Sequence, residues 1–409
     1  MEPSNSAGVK VEALAPASIK TAPTVRRTVA FVTFTGLEAV GSWPAICESM
    51  IHWLEAAGHR VIRVKPVGTN NPLLWKAVQG IYRIAGMRFQ SVRQEMIIKS
   101  LGASVNEQLH HEKPDLILCS SSLPIPFLQK DCPIAFWTDA TFKGMLDFYP
   151  EFSRMSKITV RNGMYFEDLA LKKADLAIYS SHWAARSAIA DHDADPTKVQ
   201  VIPFGPNLRQ PPSQEEIIQR IESLDRKECR SLFIGYDWER KNGPLLIEVH
   251  QELLRRGLPS RVIIIGCEPS IDRDIRGVTV LGPMDKNEPS QEKLFKKALS
   301  ESHFLVMPSK AECYGLVYTE ASAYGIPSIA CDVGGVSDAV RNGRNGQLFH
   351  VDATPIQIAD HIEKVWSDQE AYRQLAISSR EEYELRLNWP ASIEKLMSLI
   401  EERQLIKRR

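Results

Sequence analysis

Short apolar, β-branched runs alternate with helical stretches along this chain of 409 residues, and the alternation occurs twice. The first series opens after Arg27 with TVAFVTFTG (28–36), which reads as a buried strand and its turn. A helical stretch stops at Gly58, and RVIRVKPV (60–67) is the next strand. DLILCSS (115–121), PIAFWTD (133–139), DLAIYSS (175–181) and VQVIPFG (199–205) continue the series, with helices expected at 162–173 and 183–190. A proline-rich break, PFGPNLRQPPS (203–213), interrupts the pattern. A second series follows: SLFIGYD (231–237), RVIIIGCE (261–268), VTVLGP (278–283), HFLVMPS (303–309) and PSIACDVGG (327–335), with helices expected at 244–256, 291–300 and 315–325. Strands alternating with helices imply right-handed crossovers and parallel sheets. The expected class is therefore α/β, with two doubly wound, Rossmann-like domains facing across a cleft. Ligands in such sheets sit beyond the carboxyl ends of the strands, so the two domains would build one site. The expected boundaries are a disordered tail at 1–25, a first domain at 26–205, a second at 206–385, and a terminal helical segment at 386–409.

Composition narrows the function classes. Fifty Lys and Arg balance fifty Asp and Glu, which argues against a nucleic-acid partner, since that needs a surplus of cations. Seven scattered cysteines without a CxxC pair speak against a disulfide framework or a zinc knuckle, and point to a reducing, cytoplasmic compartment. No apolar run approaches the ~18 residues that span a bilayer. The Ser-, Ala- and Pro-rich start lacks the apolar block of a secretory signal.

The segment 303–349 carries the chemistry. Glu312 follows a strand, Gly315 permits a tight entry into a helix, and Glu320 lies further along that helix. The free N–H groups of Tyr314, Gly315 and Leu316 at the helix start suit an anion such as a diphosphate. Glu320 suits the vicinal hydroxyls of a ribose, and Glu312 the hydroxyls of a sugar beyond the phosphates. Two glutamates at this spacing also occur on ordinary helix surfaces. The strand before, the GIP after, and the Gly334–Gly335 turn set this pair apart.

With those features the segment resembles the EX7E signature of family 4 glycosyltransferases (glycosyl transferases group 1), retaining enzymes of the GT-B fold. The resemblance extends to IGYDWERKNG, where Gly235 and Lys241 match the family pattern while Tyr236 replaces its arginine. Arg240, beside Lys241, would supply the missing charge, and both cations would neutralise a leaving diphosphate. Arg240 and Lys241 also read as a solvated pair on a turn. VIPFGPN (201–207) resembles the family's hinge, and LRLNWPASIEKL (385–396) its terminal helix, which crosses back to the first domain.

The resemblance implies transfer of a hexose from a nucleoside-diphosphate sugar to a hydroxyl acceptor, with no metal and no cofactor beyond the donor. It implies donor contacts at Gly235, Gly266, Gly282 and Met284. It places Gly41, in the loop after the first strand, near the donor phosphates, although Gly36 and Gly41 also read as turn glycines. Where relatives carry a histidine this chain has Asp139, a catalytic candidate that binds sugar hydroxyls or orients the attacking one, or else caps its turn. Ser181 reads as a helix N-cap and His182 as a packed or exposed histidine.

Residues 72–101 hold Lys76, Arg83, Arg88, Arg93 and Lys99 against the single acid Glu95, with apolar residues at helical spacing. This reads as one basic amphipathic helix, either covering the sheet or resting on a lipid surface to reach a polysaccharide or glycolipid precursor. Rival readings are a metal-dependent transferase using a DxD triplet such as 191–193, 193–195 or 272–274, a sugar-nucleotide epimerase, and a binder of sugar nucleotides without turnover.

Overall fold

The computed structural model describes residues 25–33, 43–68, 72–129, 131–272 and 275–405. Gly36, Gly41 and all of the expected tail except Val25 lie outside the described residues. The first domain contains strands β1 (Thr28–Val32), β2 (Arg60–Val64), β3 (Leu116–Cys119), β4 (Ile134–Thr138), β5 (Leu176–Tyr179) and β6 (Val199–Val201). Its helices are α1 (Trp43–Ala56), α2 (Pro72–Ile84), α3 (Glu95–Gln108), α4 (Phe142–Met145), α5 (Lys157–Lys173) and α6 (His182–His192). The second contains β7 (Cys229–Ile234), β8 (Ser260–Ile265), β9 (Val278–Gly282), β10 (Phe304–Met307), β11 (Ser328–Cys331) and β12 (Gly346–Phe349). Helices α7 (Gln214–Ser223), α8 (Gly243–Arg255), α9 (Pro289–Glu301), α10 (Leu316–Ala323), α11 (Val336–Ala339), α12 (Pro355–Ser367), α13 (Gln369–Arg386) and α14 (Trp389–Glu402) complete the chain.

Each domain is one six-stranded sheet, ordered β2-β1-β3-β4-β5-β6 in the first and β12-β11-β10-β7-β8-β9 in the second, parallel throughout. The central strands β3, β5 and β10 are buried along their whole length, which explains their unbroken apolar runs. In the second sheet the winding reverses between β7 and β10. The turns after these two strands therefore diverge from a shared crevice, where such sheets place their ligands.

The chain crosses between domains at 202–213 and again ahead of α14. Helix α14 packs against α1 of the first domain. Lys395 Nζ donates to Val201 O, and Ser392 Oγ to Pro203 O at 2.7 Å. Trp137, Phe204, Tyr314 and Trp389 meet at the junction, with Phe204 within 6 Å of each of the other rings.

The single helix expected over 72–101 does not form. Helix α2 ends at Ile84; the chain turns at Gly86, and Phe89 folds back to stack on Tyr82 at 5.0 Å and on Trp75 at 6.0 Å. The Arg88 N–H then bonds to Arg154 O, and Arg93 is buried over the Phe142 ring at 3.8 Å. Aromatic stacking overrides a helical period that the sequence carries unbroken. Among the described residues no helix is long and apolar enough to cross a membrane.

Candidate active site

A cleft of about 2230 Å³ lies between the domains. From the second domain, the turn after β7 contributes Gly235, Arg240 and Lys241, and the turn after β10 contributes Glu312. Lys241 Nζ donates to Glu312 Oε2 at 2.7 Å, and Arg240 Nη1 lies 3.5 Å from the same oxygen. Arg240 Nη1 also donates to Ala311 O at 2.6 Å. Burial pushes the Glu312 carboxyl up, but Lys241 and Arg240 outweigh it and hold the group below the usual carboxylate range. The result is a buried carboxylate flanked by two cations, a stable charge state because each partner satisfies the others.

Two glycines make this approach possible. A Cβ on Gly235 would stand 2.2 Å from Lys241 Cδ, so only glycine lets the lysine stem cross the end of β7. A Cβ on Gly334 would stand 2.1 Å from Glu312 O, and its φ of 56° suits glycine as well. The Gly334–Gly335 turn thus backs the Glu312 turn, and Gly335 N–H bonds to Glu312 O at 3.1 Å.

Gly315 caps α10, whose first turn opens into the cleft. The N–H groups of Tyr314, Gly315 and Leu316 have no acceptor among the described residues. They form an anion-binding end beside the two cations. One turn on, Glu320 is almost fully buried, and its Oε1 accepts from Lys286 Nζ at 2.7 Å.

The first domain reaches in from the opposite wall. Asp139 stands just beyond β4, partly open to the cleft. Burial pushes its carboxyl up to about 7; its own backbone N–H opposes the shift and the Glu312 charge adds to it. Tyr149 crosses the gap: its hydroxyl accepts the Cys313 N–H at 2.9 Å, and Arg240 lies 4.8 Å from its ring centre. Burial first, and the Glu312 charge second, raise the Tyr149 phenol well above its ordinary range, so it stays neutral.

Asp139, Gly235, Arg240, Lys241, Gly266, Met284, Glu312, Gly315, Leu316 and Glu320 all line the cleft. Tyr314 turns its side chain away; its hydroxyl donates to Phe204 O at 3.1 Å, leaving only its backbone near the helix start. Gly282 does not line the cleft; it ends β9 and accepts the Gly266 N–H at 2.8 Å. Gly41 lies outside the described residues. Ser181 caps α6, and His182 bonds to Asp338 at 2.5 Å across the domain boundary. Asp191, Asp193, Asp195 and Asp272 do not line the cleft, and Asp274 lies outside the described residues. Sequence reasoning missed Tyr149 and Lys286. Neither carries a spacing signal, because each meets its partner only through the tertiary fold.

Residues 228–368 match the family model for glycosyl transferases group 1. Among curated proteins, D-inositol 3-phosphate glycosyltransferase of Gordonia bronchialis is 29% identical over 246 residues, 57% of this chain and 53% of that one. The chain spans about half the length of the first curated relatives it matches. Among solved structures, sucrose-phosphate synthase from Thermosynechococcus elongatus superposes with a TM-score of 0.64 at 18% identity, covering 92% of this chain and 99% of that one. An Anabaena HepE protein solved with UDP-glucose superposes at 0.59 and 16%, covering 92% and 100%. The fold is GT-B, as the resemblance implies, and its two parallel-sheet domains are those the double alternation implies.

Proposed function

We propose, from the match of residues 228–368 to the family model for glycosyl transferases group 1, that the protein moves a hexose from a nucleoside-diphosphate sugar to a hydroxyl acceptor, with retention at the anomeric carbon and without a metal. The observation that carries this reading is the convergence of Lys241 and Arg240 on Glu312 beside the N–H groups of Tyr314, Gly315 and Leu316, which have no acceptor among the described residues. Paired phosphoryl groups fit there, with the ribose toward Glu320 and the base toward Gly266 and Met284. Glu312 and Asp139 face the sugar. The bond from the anomeric carbon to the phosphate oxygen breaks while the acceptor oxygen bonds to that carbon on the same face. The acceptor proton passes to the leaving phosphate. Lys241 and Arg240 offset the charge that grows on that phosphate, an effect felt in the transition state more than in binding. Below pH about 7 Asp139 is protonated and can donate to a sugar oxygen; above it, it only accepts. The HepE protein solved with UDP-glucose, on the same fold, lends support to a UDP-sugar.

The test is incubation with UDP-, GDP- and ADP-hexoses in EDTA with a lysate fraction as acceptor, following nucleoside-diphosphate release and the product anomer by NMR. Lys241→Ala should lower turnover at saturating donor about 100-fold. Full turnover in that variant, or an inverted product, refutes the reading. Membrane contact belongs to the same proposal: α2 exposes Leu73, Leu74, Ile81 and Ile84 beside Arg83. Flotation with anionic vesicles, lost in Ile81→Asp/Ile84→Asp, checks it; equal flotation of both proteins would remove this part.

A further inference from the structure

Glu320 is a nearly buried carboxylate with one of its oxygens already taken. Oε1 accepts from Lys286 Nζ at 2.7 Å, while Oε2 has no partner among the described residues and the side chain lines the cleft. Lys286 is not a loose surface lysine. Its ammonium lies 3.9 Å from the centre of the buried Phe295 ring, an attraction that fixes the head group. The short loop that bears it is tied down on both sides. Asp285 N–H donates to Gln291 Oε1 at 2.8 Å, and Asn287 N–H donates to Asp285 Oδ1 at 2.9 Å. Arg209, in the connection between the domains, donates to Asn287 Oδ1 at 2.6 Å. Glu288 then caps α9 through the N–H groups of Ser290 and Gln291.

We propose that Lys286 is a positioning residue for nucleoside recognition: it clamps one oxygen of Glu320 so that the other is presented to the ribose hydroxyls of the donor. This rests on the reading that the cleft binds a nucleoside diphosphate through Glu320. The competing arrangement is a lysine that occupies the empty site and must leave when the nucleotide arrives. The two differ in sign. A clamp lost weakens nucleotide binding; an occupant lost strengthens it.

The experiment is calorimetric titration of the full chain with UDP, GDP and ADP, followed by the tightest binder and its 2′,3′-dideoxy counterpart on wild type, Lys286→Met and Lys286→Arg. Thermal unfolding of each variant confirms folding. The clamp predicts that Lys286→Met binds the ribonucleotide about tenfold more weakly, and that Lys286→Arg recovers most of the loss. It also predicts that the dideoxy nucleotide binds both proteins alike, since the penalty belongs to the hydroxyls; a merely structural lysine would weaken both nucleotides equally. Unchanged or tighter binding in Lys286→Met, or an equal loss for both nucleotides, overturns the proposal and leaves the nucleotide site standing. Failure of every nucleoside diphosphate to bind the wild type overturns the site reading and this inference together.

Discussion

At the scale of single residues, Tyr149 is the contact by which one domain senses the other's chemistry. Its hydroxyl takes the Cys313 N–H beside Glu312, and its ring lies under Arg240. Tyr149→Phe keeps the ring and leaves that N–H unpaired. It should cost about 1 kcal/mol in chemical denaturation and lower turnover severalfold with little change in donor KM. Asp139 gives a pH signature. Its native carboxyl holds a proton up to about 7, whereas the unfolded chain releases it near the ordinary 3.8. Between those values the native state binds more protons, so this group's contribution to stability falls as pH rises from about 4 to about 7. Asp139→Asn should flatten that part of a Tm-against-pH curve. An unchanged slope would assign the carboxyl an ordinary pKa. Glu312 and Glu320 were legible because one strand–turn–helix, β10 to α10, carries both in contiguous sequence; Lys241 lies 71 residues before Glu312, in the turn after β7, and only the family resemblance pointed to it. Tyr149 is 164 residues from Cys313, and no pattern in one chain announces such a pair.

At the scale of elements, turns decide more than helices do. The helix expected across 72–101 fails at Gly86, where Phe89 gains two aromatic neighbours by folding back. Periodicity records which faces are apolar, but it is blind to a ring that packs on its own helix. The β7, β8 and β10 strands were readable because buried parallel strands are apolar on both faces. The Gly334–Gly335 turn was readable as a turn, though not as the support of Glu312. Gly334→Ala forces a Cβ against Glu312 O and a side chain into left-handed backbone, which costs about 1–2 kcal/mol for the conformation alone. It should lower Tm by several degrees and weaken nucleotide binding together. Loss of stability with intact binding would show that the neighbouring turn absorbs the shift without moving Glu312.

At the scale of the molecule, the two sheets are held by covalent crossings and by contacts on the cleft rim. His182 and Asp338 pair across the boundary: Asp338 accepts both the His182 backbone N–H, at 2.7 Å, and the ring nitrogen. The double α/β architecture could be read from the twofold alternation with its proline break. The mutual orientation of the halves could not, because it depends on single aromatic contacts such as Trp389 Nε1 donating to Pro206 O at 2.9 Å. Truncation before Trp389 strips α14 from α1 and removes the buried Ile393, Leu396, Met397 and Ile400 that α14 adds to the core. The shortened protein should bind a hydrophobic dye and unfold in two steps, with the first domain melting earlier. A single transition at the wild-type temperature would contradict the structural role given to α14.

Because the final helix is housed with the opening half, this protein is not two beads on a string but three pieces of sequence making two bodies. Chimeras that trade halves with a relative at the proline-rich crossing would each inherit a mismatched plank. A successful swap has to cut twice, so that the last stretch of chain travels with the beginning it shelters.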